Sequence, residues 1–196
     1  MSEGQGQGTL RAFIAVELPP ALKDALGEVQ QAMKGAGAEA RWVRAQSIHL
    51  TLKFLGDIPS KMVPSVREAM ETSAEGTSTF EVRVAGTGAF PNERRPRVLW
   101  VGLEEPTGAL LELQKKLEAA LTPLGFEPEG RPFKGHLTLG RIKSPPRGGG
   151  IVKALVEQKD VDLGKISVDK IVLYQSTLKP SGAVYKSLEE VALSKA

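Results

Sequence analysis

Cysteine is absent from the 196-residue sequence, so the fold contains no disulfide framework. No apolar run approaches the ~20 residues that span a bilayer. Residues 1–8 are rich in glycine and glutamine and lack the basic and apolar regions of a secretion signal. We therefore expect a disordered tail over residues 1–8, no membrane role and a cytoplasmic location. Separately, we expect the protein to be a monomer.

Histidine is nearly as scarce as cysteine, with two in the whole chain, and each begins the same tetrapeptide. The copies are His49-Leu-Thr-Leu and His136-Leu-Thr-Leu, which lie at an offset of 87 residues. Imidazole is the side chain whose unperturbed pKa lies nearest neutral pH. Two imidazoles in identical settings therefore indicate a proton-transfer pair.

Acidic residues are missing around both histidines. Residues 130–156 contain six Lys or Arg but no Asp or Glu, and residues 40–56 contain three Lys or Arg and again no acid. The net charge of +3 is modest by itself. Its distribution indicates an anionic partner that binds near the histidines.

The sequence around the tetrapeptides indicates an internal duplication, with repeats at approximately 11–90 and 97–190. We expect an α+β fold in one bilobal domain over residues 9–196, with a β-α-β-α-β order in each half. Mainly antiparallel sheets would line a central cleft, and the helices would lie outside. The predicted elements are strand 11–18, helix 19–35, strand 48–55, helix 59–75 and strand 80–84, then strand 97–103, helix 107–124, strand 133–142, helix 150–159, strand 166–174 and a last strand at 183–188.

Alternation along each motif strand places the histidine and the threonine on one face and the two leucines on the other. If the halves face each other, the cleft holds His49, Thr51, His136 and Thr138. Hydrolysis of a phosphodiester needs one group to take a proton from water and another to supply one to the leaving oxygen. Threonine hydroxyls can bind phosphate oxygens, and Arg141 can offset negative charge, provided that a bend or bulge turns it toward Thr138.

Other kinds of site fit the sequence less well. Zinc usually takes at least three protein ligands, and neither motif window contains a carboxylate or cysteine. The serine-hydrolase pattern Gly-x-Ser-x-Gly and the nucleotide-binding pattern Gly-x-x-x-x-Gly-Lys-Ser/Thr are both absent. The glycines at 148–150 predict a flexible connection. Weaker candidates for nucleic-acid contacts are the basic run 94–97 and four aromatic residues, Trp42, Phe54, Phe133 and Tyr185.

The two His-x-Thr-x motifs resemble the signature of the two-histidine (2H) phosphoesterase superfamily. The segments 11–19, 42–43, 49–56, 96–100 and 133–141 narrow the resemblance to the RNA 2′,3′-cyclic phosphodiesterase branch, historically called 2′-5′ RNA ligase. That resemblance implies hydrolysis of a terminal 2′,3′-cyclic phosphate to a 2′-phosphate, either on RNA ends in RNA processing or on small cyclic nucleotides. It also implies that the reaction needs no metal ion and no organic cofactor. It implies that His136 is the general base, that His49 is the proton donor, and that Thr51, Thr138 and Arg141 bind the phosphate.

One departure from the family pattern is Gly135, where proline usually precedes the second histidine. Glycine frees a backbone N–H and loosens the chain, which affects how the strand begins more than the chemistry. The residues also leave open a non-catalytic RNA-binding protein and an enzyme that joins RNA ends through a 2′-5′ linkage. Retention of both histidines and both threonines favours turnover, because arginine and lysine would serve phosphate binding better.

Overall fold

The computed structural model describes residues 8–143, 149–180 and 182–195. Almost all of the predicted tail, residues 1–7, and Gly148 of the predicted flexible connection lie outside the described residues. The elements in chain order are β1 (Thr9–Val16), α1 (Pro20–Gly35), β2 (Arg41–Trp42), β3 (Leu50–Pro59), α2 (Val63–Ala74), β4 (Phe80–Phe90), β5 (Val98–Glu104), α3 (Ala109–Leu121), β6 (His136–Arg141), α4 (Gly150–Glu157), β7 (Asp162–Val168), β8 (Lys170–Lys179) and β9 (Gly182–Ala192).

All nine strands of the described chain belong to one antiparallel sheet. Its order is β7-β4-β5-β6-β3-β1-β8-β9, and β2 pairs separately with β6. The two motif strands, β3 and β6, are neighbours at the centre, joined by the Leu50–Leu137 pair. The α+β class, the duplication and the β-α-β-α-β order are therefore confirmed, with the sheets of the two halves continuous through their motif strands.

The two repeats exchange their third strands. β4 ends the first repeat but pairs with β5, the first strand of the second repeat. β8 belongs to the second repeat but pairs with β1. Helices follow the same rule, because α1 packs against α4 of the second repeat and α2 against α3. Each half of the sheet is therefore completed by the other half of the sequence.

The predicted strand over 166–174 differs from the structure, which has two strands there. β7 ends at Val168 and pairs with β4, whereas β8 begins at Lys170 and pairs with β1. The chain changes from one half of the sheet to the other at Asp169, whose carbonyl accepts a hydrogen bond of 2.7 Å from the backbone N–H of Leu193. The predicted last strand at 183–188 lies within the longer β9.

The first helix of each repeat buries one apolar face, as the spacing of its apolar residues predicts. Pro20 stands in the first turn of α1, where its missing N–H has no partner to lose. Gly125 ends the turn that follows α3 with a φ of 89°, a conformation that glycine adopts without strain. Among the described residues, no helix combines the length and apolar character needed to cross a membrane. The buried apolar residues on these faces are Leu22, Leu26, Val29 and Met33 in α1 and Leu110, Leu113, Leu117 and Leu121 in α3.

Candidate active site

The Leu50–Leu137 pair fixes how the two motifs meet. In an antiparallel ladder, this register brings His49 beside Thr138 and Thr51 beside His136. All four polar side chains lie on one face of the sheet, while the motif leucines are buried on the other. Burial of each leucine contributes roughly 1.5–3 kcal/mol, which anchors the strands that carry the polar groups. The buried leucines are Leu50, Leu52, Leu137 and Leu139.

One cavity of about 390 Å³ brings together all five residues singled out from the sequence. Its walls come from both halves of the sheet and from the β8–β9 hairpin. No aspartate or glutamate of the described chain lines it. The predicted members are His49, Thr51, His136, Thr138 and Arg141, and the walls also include Arg11, Phe13, Phe54, Leu178 and Tyr185.

Both imidazoles make the same backbone hydrogen bond. Nδ1 of His49 lies 2.9 Å from the carbonyl of Ser47, and Nδ1 of His136 lies 2.7 Å from the carbonyl of Lys134. A carbonyl oxygen only accepts hydrogen bonds, so Nδ1 carries the proton in each neutral ring. Nε2 is therefore the atom of each ring that takes up or releases a proton.

Burial keeps both rings neutral in the ligand-free protein. It lowers the pKa of His49 from 6.5 to about 4, the hydrogen bond to Ser47 opposes this shift, and the charge of Lys23 adds to it. Burial also lowers the pKa of His136, against its hydrogen bond to Lys134 and together with the charge of Arg141. A bound anion would reverse part of these shifts, because it favours the protonated ring.

Aromatic rings account for the burial of His49. Phe13 of β1 stacks on its imidazole at 4.5 Å between ring centroids, and Tyr185 of β9 meets it edge-on at 5.1 Å. Phe90 contacts His136 edge-on at 4.9 Å. Sequence reasoning does not single out Phe13 and Phe90, because each lies in an apolar strand and reaches a histidine only through the fold.

A bulge turns Arg141 into the cavity. Trp100 pairs with Thr138 while the preceding Leu99 pairs with Gly140, so Leu139 is the extra residue on β6. This places two buried residues between Thr138 and Arg141 and returns Arg141 to the face that carries Thr138. The bulge that Arg141 needs in order to reach the site is therefore present.

The first repeat has the same bulge with a different residue after it. Ala15 pairs with Thr51 and Ile14 with Lys53, so Leu52 is the extra residue on β3. Phe54 stands where the second repeat has Arg141, at the repeat offset of 87 residues. It lines the cavity and is 55% exposed. One edge of the cavity thus carries a cation, and the equivalent edge carries an aromatic ring.

Of the weaker candidates for nucleic-acid contacts, some line the cavity in the structure and others do not. Phe54 and Tyr185 line the cavity, but Trp42 lies outside it, with the Lys34 ammonium 5.5 Å from its ring. Phe133 packs against the apolar core. The basic run 94–97 lies between β4 and β5, where the Asn92 side chain accepts hydrogen bonds from two backbone N–H groups of the run, and its side chains do not line the cavity.

The packing around position 135 explains why glycine stands there. A Cβ at this position would lie 3.1 Å from Cδ2 of Leu110 and 3.3 Å from Cδ1 of Leu103. Both distances are shorter than ordinary van der Waals contact, so a side chain here would displace the leucines. The absence of a side chain lets the segment before β6 lie close to α3.

The described chain contains no cluster of metal-ligating side chains. Over the ranges 8–143, 149–180 and 182–195, no three His, Cys, Asp or Glu side chains come together as a metal site would require. The ionisable side chains that line the candidate active site are the imidazoles of His49 and His136, the phenol of Tyr185 and the guanidinium groups of Arg11 and Arg141.

Comparisons with known proteins find matches along nearly the whole chain. The model of the LigT like Phosphoesterase family matches twice, at residues 16–100 and 101–185. A Methanothermobacter thermautotrophicus protein named RNA 2′,3′-cyclic phosphodiesterase is 34% identical over 180 residues, covering 92% of this chain and 97% of the relative. An Aeropyrum pernix protein of the same name is 34% identical over 166 residues, covering 85% of this chain and 93% of the relative.

Solved structures share the fold. The crystal structure of a Thermus thermophilus protein superposes with a TM-score of 0.78 at 33% identity and covers 95% of this chain and 99% of that one. Escherichia coli LigT complexed with 3′-AMP superposes with a TM-score of 0.75 at 23% identity and covers 96% of this chain and all of that one. The second likeness, at this identity, concerns the fold alone.

Proposed function

The chain belongs to the LigT-like phosphoesterase family, and we propose that it is an RNA 2′,3′-cyclic phosphodiesterase, hydrolysing the terminal cyclic phosphate to a 2′-phosphate. One observation carries the proposal. Two histidines with the same hydrogen bond, each accompanied by a threonine, line one cavity from the two halves of the molecule. Relatives that share nearly the full length bear the name of this activity.

The reaction requires that one group take a proton from water and that another group give a proton to the leaving oxygen. Nε2 of His136 accepts a proton from water as its oxygen forms a bond to phosphorus. The bond from phosphorus to O3′ breaks, and Nε2–H of His49 donates its proton to that oxygen. The products are a free 3′-hydroxyl and a 2′-phosphate, and a proton returned through solvent restores the starting state of the pair.

The remaining polar groups of the cavity suit the charge that develops on phosphorus. Thr51 and Thr138 donate hydrogen bonds to the non-bridging oxygens, and the guanidinium of Arg141 offsets their negative charge. Phe54 offers an exposed ring on the opposite edge, on which the terminal base can stack.

The low pKa of His49 places a condition on its role as proton donor. At about 4 it leaves the ring unprotonated in the free protein at neutral pH. Its role as donor therefore requires that the cyclic phosphate anion raise this pKa on binding, so that a proton is taken up together with the substrate. We further propose that this pair acts without a metal ion, because the described cavity walls contain two imidazoles and no carboxylate.

Substitution of either histidine tests the proposal. His49→Ala and His136→Ala should each lower kcat on a short RNA ending in a 2′,3′-cyclic phosphate by about 10³-fold, since each removes one proton-transfer group. The assay is run with chelator, and chelator-treated wild type is the control. Identification of the product as a 2′-phosphate separates hydrolysis from 2′-5′ joining. Full activity in either variant would contradict the acid–base pair, and loss of wild-type activity with chelator would contradict metal independence.

A further inference from the structure

A second cavity, of about 420 Å³, adjoins the candidate active site. Arg41, Arg44 and Arg141 line it, and we call it the arginine groove. Its described side chains include neither aspartate nor glutamate. The two cavities share a wall, so a chain leaving the active site past Arg141 enters the groove directly. The shared residues are Val43, Ser47, Arg141, Leu178, Ala183 and Tyr185.

The pairing of β2 with β6 holds two of these arginines together. Arg41 lies directly opposite Arg141 in the ladder, and opposed residues share a face of the sheet. Like charges in this arrangement repel each other. Within the described chain, neither guanidinium has a carboxylate partner, whereas Arg67 and Arg83 each contact two carboxylates. An anion between Arg41 and Arg141 would replace repulsion with two attractive contacts.

Arg44 adds the third charge from a different element. It precedes the 3₁₀ turn Ala45–Ser47, whose last carbonyl holds the ring of His49. Its Cδ lies 3.9 Å from the point that a Cβ at Gly182 would occupy, so its stem crosses the start of β9. The stem of Arg44 therefore lies between the turn that holds His49 and the β8–β9 hairpin, and the residue lines the groove.

We propose that the arginine groove binds the phosphate that precedes the terminal nucleotide, so that the enzyme recognises the end of an RNA strand in preference to a free cyclic nucleotide. The inference rests on the proposed function, because it extends the same substrate by one phosphodiester. A free nucleoside 2′,3′-cyclic phosphate has no second phosphate and can occupy only the first cavity. Leu178, 71% exposed on the shared wall, gives the ribose of the terminal nucleotide an apolar contact, while the base of that nucleotide lies on Phe54.

The test compares two substrates, adenosine 2′,3′-cyclic phosphate and a short RNA ending in the same group. Arg41→Gln and Arg44→Gln should each lower the ratio of kcat/KM for the RNA to kcat/KM for the nucleotide by about 5- to 10-fold. The salt dependence of RNA binding should weaken by about 0.7 in logarithmic slope for each arginine removed. Arg67→Gln is the matched control, since it loses the same charge from the outer face of α2 and should leave both quantities unchanged.

Two results would overturn the inference. One is an equal fall for both substrates, which would assign the arginines to the first cavity, and the other is a ratio that stays at the wild-type value. If wild type hydrolyses neither substrate, the proposed function fails, but a direct binding measurement still tests whether the arginine groove binds a phosphate. The probe is then a short RNA with a 3′-phosphate, and equal affinity of wild type and the Arg41→Gln/Arg44→Gln double variant would overturn the groove.

Discussion

At the residue scale, each of the two imidazoles makes the same kind of hydrogen bond to a backbone carbonyl, but the surroundings of the two rings differ. His49 lies against Phe13 and Tyr185, whereas His136 contacts the ring of Phe90 and feels the nearby charge of Arg141. Both surroundings disfavour the protonated ring, chiefly by desolvation and in addition by repulsion from a cation, Lys23 for His49 and Arg141 for His136. The pH at which the pair holds a single proton therefore lies below the ordinary pKa of histidine.

This shift predicts the pH dependence of kcat/KM, which reports the free enzyme. Both pKa values lie below 6.5, that of His49 at about 4, so the singly protonated pair is most populated on the acid side of pH 6.5. We expect a bell-shaped profile with its maximum between about pH 4 and 6.5, measured with a short cyclic-phosphate RNA. The profile of kcat should lie at higher pH, because the bound anion raises both pKa values.

A maximum of kcat/KM above pH 7 would contradict the burial of the two rings in solution. Arg141→Gln provides a second measurement, because removing the guanidinium removes its effect on His136. The limb of kcat/KM that His136 sets should then move to higher pH, while the absolute rate falls through loss of phosphate binding. An unchanged limb would mean that Arg141 does not act on this ring.

Local patterns predict much of the site from the sequence. The alternation of each tetrapeptide places His49, Thr51, His136 and Thr138 on one face, because side-chain direction along a strand depends on neighbouring residues alone. The need for a bulge before Arg141 follows from the same alternation. The contact of a phenylalanine of β1 with His49 cannot be found in this way, since it depends on pairing between separate strands.

At the scale of elements, side chains from the first helix of each repeat hold the motif strand of the other repeat. Gln30 of α1 donates hydrogen bonds of 2.7 Å to the carbonyl of Val43 and 2.8 Å to that of Leu139, the bulge residue of β6. Glu118 of α3 accepts a hydrogen bond of 2.7 Å from Lys53, which directly follows the bulge residue of β3. Each bulge is thus fixed by a polar side chain from a helix of the opposite repeat.

The Lys53–Glu118 ion pair gives a prediction at this scale. The side chains of the pair are 3% and 14% exposed, and Lys53 also donates to the carbonyl of Glu127. Lys53→Met leaves Glu118 without its cation in a poorly hydrated place and should lower the free energy of unfolding by about 3 kcal/mol. Lys53→Met/Glu118→Gln removes both charges and should recover most of that loss, because Gln114 can still bond to residue 118.

Urea denaturation of the two single variants and the double variant measures the coupling. Losses that simply add in the double variant would show that the pair contributes nothing specific. Lys115→Met is the matched control, since its contact with Glu112 is exposed on the same helix and should be worth less than about 1 kcal/mol.

At the scale of the whole molecule, exchange of the third strands makes each repeat incomplete by itself. The spacing of apolar residues predicts the helices correctly, but a spacing pattern does not specify which strand becomes whose neighbour. The split at Asp169 shows the difference, since the sequence from 166 to 174 has the composition of one strand and forms parts of two. Non-local pairing decides both features, and it is determined by the packing of the complete chain.

The exchange predicts how fragments behave. A cut in the exposed loop between β4 and β5, after Asn92, leaves β4 in one piece without its partners β5 and β7, and β8 in the other piece without its partner β1. We expect residues 8–92 and 93–196 to be largely unfolded when separate, by circular dichroism and amide hydrogen exchange, and to regain sheet structure and activity when mixed. A separate fragment with native-like protection would contradict the mutual dependence of the halves.

Phe54 and Arg141 occupy equivalent positions, each two residues after a bulge, and this has a consequence for the way such a catalyst can be built. Two identical subunits meeting at the Leu50–Leu137 pair would carry the same side chain at both positions, giving two cations or two rings. Joining the halves in one polypeptide allows each position to be selected independently. Under the proposed function, the cavity would then distinguish the two ends of an RNA nucleotide, its base and its phosphate, which a symmetric dimer could bind only in two equivalent orientations.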